Sequence, residues 1–475
     1  MSGSAGVTGA LVLAAGKGTR MKSDLPKVLL PILDQPVLYY ALRALEKLAV
    51  EGTVLDTAAV VGHKGELARN YLAAEWPGVI PIWQHEQLGT GHAVQIAREW
   101  WEGFDHLLVL PGDVPLLTGA TLSRLVEDHK KEGADCSFIS FEAANPHGYG
   151  RVVRSGGGVS IVEEKDATEE ERLLSEVNSG VYIFRVTSLL THIYRLSSEN
   201  AQGEFYLPDI IKMMGRDGMA VRAVAGGRED EFRGINTPRQ LSEVAALIKD
   251  GIVEEMLAGG VRMADPSSVW IGPGVVIEQD VLIEPFVQIW GATSIGSGSR
   301  IGPFSILRDM TVGRSVDVAS HAVLSGSVLG DGVRVGPFIV VRDGAEFEPR
   351  SFGGKFVEVK NSRIGRGSKA PHLSYLGDAV LGEDVNIGAG TITCNYDGVK
   401  KNKTVIGDRC FIGSDTMLVA PVTLGSGTTT AAGSVITQDV PDGALAVGRA
   451  RQRNIAGWSD RKRRPESGEG GRNDG

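Results

Sequence analysis

Along residues 271–301 an isoleucine recurs at every sixth position: Ile271, Ile277, Ile283, Ile289, Ile295 and Ile301. Glycine follows three of them, at Gly272, Gly296 and Gly302. The register slips near residue 310. The aliphatic hexad then returns in runs that include Val318 and Leu324, Val335 and Val341, Ile364 to Leu376, Leu381 and Ile387, and Ile406 to Leu424. A period of six does not fit an α-helix, whose period is about 3.6. It predicts a parallel β-solenoid in which each six-residue strand and turn forms one face of a coil, the aliphatic side chain points inward and glycine permits the corner. Stacked coils then bury one continuous apolar column.

The first half of the chain follows another pattern. Short apolar runs at 9–15, 57–61 and 106–110 read as buried parallel strands, with amphipathic helices expected at 37–48, 65–75 and 92–101. This alternation predicts an α/β domain with a doubly wound, Rossmann-like sheet whose ligands sit at the C-terminal ends of the strands. Between the two zones Thr237 caps a helix that Pro238 opens, Leu241, Val244, Ile248, Ile252 and Met256 form its apolar stripe, and Gly259 and Gly260 stop it. The expected organisation is therefore an α/β domain over 1–237, a linker helix over 238–258 about 30 Å long, a solenoid over 259–458 and a disordered tail over 459–475.

Composition narrows the class. Of 475 residues 63 are glycine, as tight corners require, and 49 basic against 58 acidic residues leave a net charge of −9. That balance argues against a general nucleic-acid binder. Cys136, Cys394 and Cys410 have neither disulfide-framework nor metal-ligand spacing, which suits a reducing cytoplasm. No signal peptide and no membrane insertion are expected, because no apolar run reaches about 18 residues.

Chemistry concentrates first behind the run at 9–15. Gly16, Gly18, Thr19 and Arg20, then Pro26 and Lys27, follow the strand directly. The pattern is neither a Walker A loop nor a Rossmann fingerprint, since Met21 stands where a third glycine belongs. Small residues after a strand let backbone N–H groups approach phosphates, and Arg20 and Lys27 add cationic donors. The pattern resembles the sugar-nucleotide pyrophosphorylase family, whose signature is G-x-G-T-R followed by P-K. Further segments match in order: Gln84 with Gly89 and Thr90, Pro111 to Pro115, Gly148 to Arg151, Ile161 to Asp166, Val177 to Gly180 and Gly234 to Thr237. The resemblance implies that Asp113 and Asn236 hold Mg²⁺ and that Arg20 and Lys27 act in catalysis. It further implies UTP or UDP-sugar contacts from Leu13, Ala14, Ala15, Gly16, Lys27, Gln84, Gly89, Thr90, Gly112, Gly150, Glu163, Asn178 and Asn236.

A second cluster interrupts the hexads. Ser368 to Asp378 contains His372, an imidazole suited to general-base work. Segments around Asn386 to Ala389, Thr391 to Gly398, Gly413 to Thr416 and Ala431 to Gly433 follow. Together with the first half, covering almost all of residues 9–458, they resemble the bifunctional N-acetylglucosamine-1-phosphate uridyltransferase / glucosamine-1-phosphate N-acetyltransferase family. That family implies a left-handed parallel β-helix, a homotrimer formed through it, small-molecule substrates, and UTP and acetyl-CoA as co-substrates. His372 would be the base for acetyl transfer. Arg342, Lys360, Tyr375 and Asn386 would bind glucosamine phosphate, and Ala389, Asn395, Tyr396, Ser414, Ala432 and Arg449 would bind acetyl-CoA. Direct transfer is implied, with Cys394 and Cys410 as small buried residues rather than nucleophiles. Leu30, Pro111 and Pro371 depart from the family pattern. The alternative is a sugar-1-phosphate nucleotidylyltransferase whose β-helix is purely structural or regulatory.

Overall fold

The computed structural model describes residues 7–50, 55–155 and 158–463. Its contacts divide the chain into two units, one reaching residue 255 and including 271–273, the other formed by 256–270 and the chain from 274 onward.

In the first unit β1 (Thr8–Ala14) lies at the centre of a sheet, parallel to β2 (Leu55–Val61) on one side and β4 (His106–Pro111) on the other. β3 (Val79–Trp83) extends the β2 edge in parallel. Both faces of β1 are covered: Ala10, Val12 and Ala14 join one core and Leu11 and Ala15 the other, which is why the run is apolar without alternation. Helices α1 (Val37–Val50) and α2 (Gly65–Glu75) match the expected amphipathic stretches.

Two local differences from the sequence reading have physical causes. The helix expected over 92–101 is split into α3 (Thr90–Ile96) and a turn at Arg98–Trp101. The buried Trp101 indole donates to the Val94 carbonyl at 2.8 Å, taking the acceptor that residue 98 would have used. The sheet is also mixed rather than all parallel. After α4 (Gly119–Lys131) and β5 (Cys136–Glu142), the strand Glu176–Arg185 runs antiparallel between β4 and β5.

Thr237 caps the helix Pro238–Ala258 by accepting from the Gln240 amide at 3.2 Å. Val244 and Ile248 of this helix bury their side chains with Met21, Leu30 and Ile32. Leu30, a departure from the family pattern, thus belongs to an apolar core.

The second unit is a parallel β-helix. Each hexad aliphatic stacks on its equivalent one coil later: Ile289 on Leu307 and Ile283 on Ile301, a step of 18 residues, then Ile295 on Val312 and Val318 on Val335, a step of 17. The slip near residue 310 is the loss of one residue from a coil. Ile271, Ile283, Ile289, Ile295 and Ile301 are all buried. Farther along, Leu381 pairs with Ile406 and Ile387 with Ile412, a step of 25, because the segment around Tyr396–Lys401 leaves the coil as a loop.

One corner of the β-helix is built from residues in the left-handed backbone region. Phe286, Phe304, His321, Phe338 and Phe356 have φ of 61, 60, 58, 55 and 55°. Such a conformation costs a non-glycine residue about 1–2 kcal/mol. The rings recover it by stacking with centroids 4.8–5.2 Å apart, each stack contributing about 1 kcal/mol. On the next coils the aromatic series gives way to Leu373, Gly390, Asp415 and Gly433, all at positive φ. The chain beyond the β-helix forms a short helix, Trp458–Arg463, in place of the disorder expected from residue 459, with Asp460 in its first turn complementing the helix dipole. The rest of the expected tail, 464–475, lies outside the described residues.

Candidate active sites

The first site lies at the C-terminal ends of β1, β3 and β4, in a cavity of about 570 Å³. The strand-end segment Leu13, Ala14, Ala15 and Gly16 forms one wall, and Gln84, Gly89 and Thr90 form another. Asp113, Gly150, Glu163, Asn178 and Asn236 complete it with Lys27. Two expected residues are not brought to the lining. Gly112 lies just behind, its amide donating to the Leu13 carbonyl at 2.9 Å, and Arg20 is solvent-exposed on the turn Thr19–Met21.

Glycine at position 18 has a structural reason. Gly18 has φ of +58°, and a Cβ there would stand 2.8 Å from the Lys27 Cβ, so only glycine lets Lys27 fold back over the loop. The Lys27 ammonium donates to the Asp113 carboxylate and, at 3.2 Å, to Asn236 Oδ1. The Ile235 amide donates to the Asp113 carbonyl at 3.0 Å, which locks these two segments together. Among the described residues no group of three or more His, Cys, Asp and Glu is arranged to hold a metal. Asp113 and Asn236 nevertheless turn two hard oxygens toward one cation, Lys27 Nζ, and that donor set fits Mg²⁺, which takes few protein oxygens and completes its shell with phosphates and water.

The opposite end of the cavity is built around Asn178 and Glu163. The Asn178 amide N–H donates to the Gly150 carbonyl at 2.9 Å. Its side chain is held at both ends, Oδ1 accepting from the Gly180 amide at 3.1 Å and Nδ2 donating to the Tyr182 hydroxyl at 2.6 Å. Burial, reinforced by Asp209, Asp166 and Glu204, pushes the Glu163 carboxyl up to about 7. Tyr182 and Glu204 line this end and were not singled out from sequence.

The second site is on the β-helix. His372 is exposed on the strand Lys369–Gly377, in register with Lys355 of the strand Phe352–Lys360. The backbones pack closely here: a Cβ on Gly354 would collide with the Pro371 carbonyl. Arg342 is in register with Lys360, and Glu358 with Tyr375. The Arg342 guanidinium donates to Glu358 from two nitrogens, at 2.7 and 3.0 Å, which holds it above its ordinary range. The neighbouring Lys401 lowers the Lys360 pKa, and with Arg342 also acting on Lys360 three basic side chains gather at one patch. Lys401 was missed because it sits in the loop outside the hexad, although the 25-residue step marked that loop.

The remaining expected residues divide. Ala389, Ser414 and Ala432 stack along the corner that carries Leu373: the Gly390 amide donates to the Leu373 carbonyl, Asp415 to Ala389 and Gly433 to Ser414, at 2.7–2.8 Å. Arg449 joins them by donating to the Ala432 carbonyl at 2.8 Å. Asn395, by contrast, is buried and donates to Asp378 and, at 3.4 Å, to the Tyr375 hydroxyl, beside the sugar-side residues. Tyr396 is exposed on the loop, and Asn386 is half-buried one coil after Lys369. Cys410 is buried and Cys394 half-buried, and burial pushes both thiols up, away from the thiolate a nucleophile needs.

Residues 10–202 match the MobA-like NTP transferase domain family, and residues 274–309 and 403–438 match the bacterial transferase hexapeptide (six repeats) family. A protein of Fervidobacterium nodosum named bifunctional protein GlmU is 46% identical over 455 residues, covering 95% of this chain and 97% of its own length. Proteins of the same name from Thermobifida fusca and Pelobacter propionicus are 45% and 43% identical, over 95% and 96% of this chain and 94% and 98% of theirs. With an NTP-transferase domain followed by a left-handed hexapeptide β-helix, and with likeness running through both, this chain belongs to the bifunctional GlmU family.

Proposed function

We propose that the chain makes UDP-N-acetylglucosamine by two group transfers at separate sites. The β-helix acetylates glucosamine 1-phosphate with acetyl-CoA. The α/β unit then joins N-acetylglucosamine 1-phosphate to UTP and releases pyrophosphate. The observation that carries this reading is the convergence of Lys27, Asp113 and Asn236 in one unit, together with the basic patch of Arg342, Lys360 and Lys401 on the β-helix, whose strand Lys369–Gly377 also carries the exposed His372.

In acetyl transfer Arg342, Lys360 and Lys401 receive the sugar phosphate, which releases Arg342 from Glu358. His372 takes a proton from the glucosamine nitrogen as that nitrogen attacks the thioester carbonyl; the C–S bond breaks and coenzyme A leaves as the thiol. The small residues of the corner, Ala389, Gly390, Ser414 and Ala432, leave room for coenzyme A alongside the β-helix.

In uridylyl transfer a phosphate oxygen of the sugar attacks the α-phosphorus of UTP and the bond to the β-phosphate breaks. Lys27 neutralises charge on the phosphates, and the backbone after β1 cradles them. Asp113 and Asn236 would hold Mg²⁺, which supplies charge neutralisation along the triphosphate. Asn178 and Glu163, whose carboxyl pKa is pushed up to about 7 by burial, hydrogen-bond the acetylated sugar.

A homotrimer through the β-helix and a cytoplasmic location accompany this reading. The described helices include none long and apolar enough to cross a membrane, and the cysteines are free. A purely structural β-helix is disfavoured by the basic patch of Arg342, Lys360 and Lys401 and by membership of a bifunctional family. The test follows free thiol and pyrophosphate with glucosamine 1-phosphate, acetyl-CoA, UTP and Mg²⁺. Both products are expected, and His372→Ala should abolish thiol release while pyrophosphate still forms from supplied N-acetylglucosamine 1-phosphate. Pyrophosphate without thiol in the wild type would leave the β-helix structural.

A further inference from the structure

Gln84 follows β3 at the nucleotide end of the cavity and is almost wholly buried. Its backbone amide is anchored on the Val61 carbonyl at 2.8 Å. Its side-chain Nε2 stands 3.2 Å from the Gly89 carbonyl and 3.0 Å from His92 Nδ1. A carbonyl can only accept, so the atom facing Gly89 is the amide nitrogen. Its two hydrogens are then both committed, one to Gly89 and one to His92, which makes His92 Nδ1 an acceptor and puts the ring proton on Nε2. The amide oxygen makes no hydrogen bond among the described residues, and Gln84 lines the cavity. The His92 ring is itself placed by α3 and packs against Phe205, 6.4 Å between centroids.

We propose that His92 is a positioning residue that sets the preference for uracil over cytosine by holding the Gln84 amide with its oxygen toward the base. This deepens, and rests on, the reading of the site as a UTP site. Uracil carries one ring donor besides its glycosidic position, N3–H, so an acceptor that meets its pairing edge must meet N3–H. Cytosine in the same pose turns a lone pair on N3 toward the Gln84 oxygen, leaving two acceptors face to face. If the amide were free to rotate, its NH₂ would meet that lone pair and the discrimination would vanish. Thymine has the same N3–H as uracil, so this device does not separate those two bases.

The experiment measures kcat/KM for pyrophosphate release from UTP, CTP and dTTP, with N-acetylglucosamine 1-phosphate, in the full-length enzyme and in His92→Phe, His92→Leu and His92→Asn. Phe and Leu remove the acceptor, whereas Asn can return one near Nδ1. The UTP-to-CTP ratio should fall about tenfold or more in the Phe and Leu variants, recover in Asn, and leave the UTP-to-dTTP ratio in place. A merely structural role would lower all three nucleotides together. An unchanged UTP-to-CTP ratio in both acceptor-free variants overturns the inference alone. A wild type without preference for UTP overturns the functional reading and this inference with it.

Discussion

The Lys27 ammonium donates to Asn236 Oδ1 at 3.2 Å, across 209 positions of chain, while also bonding Asp113. Three segments thus meet at one cation, and the two oxygens around it are those assigned to Mg²⁺. Mg²⁺ held by these two oxygens would take the place that the Lys27 ammonium occupies between them. Asp113→Asn removes the one carboxylate of this set. Uridylyl transfer should fall by about 10³-fold and need more Mg²⁺ for half-maximal rate, while thiol release from the β-helix stays at the wild-type level. Parallel pyrophosphate and thiol assays across a Mg²⁺ series check this, and unaltered Mg²⁺ dependence would sink the assignment.

Tyr182 fixes Asn178 as His92 fixes Gln84, by taking one end of its amide at 2.6 Å. Tyr182→Phe keeps the buried ring and loses the acceptor. KM for N-acetylglucosamine 1-phosphate should rise about five- to tenfold with KM for UTP little changed. Equal changes in both constants would mean a general loosening of the cavity instead.

Glu163 has a folded-state pKa near 7, above its ordinary 4.5, chiefly through burial. Between those values the folded chain holds a proton that the unfolded chain has released, so stability falls as pH rises through that window and levels off above it. Glu163→Gln removes this cost. The variant should gain up to about 3 kcal/mol relative to wild type between pH 4.5 and 7, with no further gain above. Unfolding curves of both proteins across pH 4.5–8.5 read the gap directly; a gap that ignores pH would refute the burial argument.

Ile301 is fully buried in the column between Ile283 and Val318. Ile301→Ala should destabilise the β-helix by about 2–5 kcal/mol through lost burial and the cavity left behind. Denaturant unfolding followed by thiol release would detect it, and a loss below 1 kcal/mol would show that the coils can collapse around the gap.

Periodicity carried most of the architecture. The isoleucine hexad specified coils because a six-residue step is the geometric repeat of one face, and the strand–helix alternation with its G-x-G-T-R loop specified the α/β unit. Single residues with strong chemistry, such as Lys27, Asp113 and His372, were visible for the same reason: their types and spacing are properties of the linear chain. Other features were not visible. The antiparallel strand Glu176–Arg185 looks apolar whichever way it runs, because direction is decided by the neighbours it pairs with. The split at Ala97 depends on an indole reaching back to a carbonyl. Lys401 joins Lys360 only because a loop leaves the coil and returns. Likewise the proton on Glu163, the tautomer of His92 and the faces of Gln84 and Asn178 are set by burial and by partners from distant segments. The sequence by itself determined the repeat, the domain types and the candidates for the reacting groups. Only the tertiary structure decided their orientation and charge state, because hydrogen bonding and desolvation depend on which segments are brought together in space.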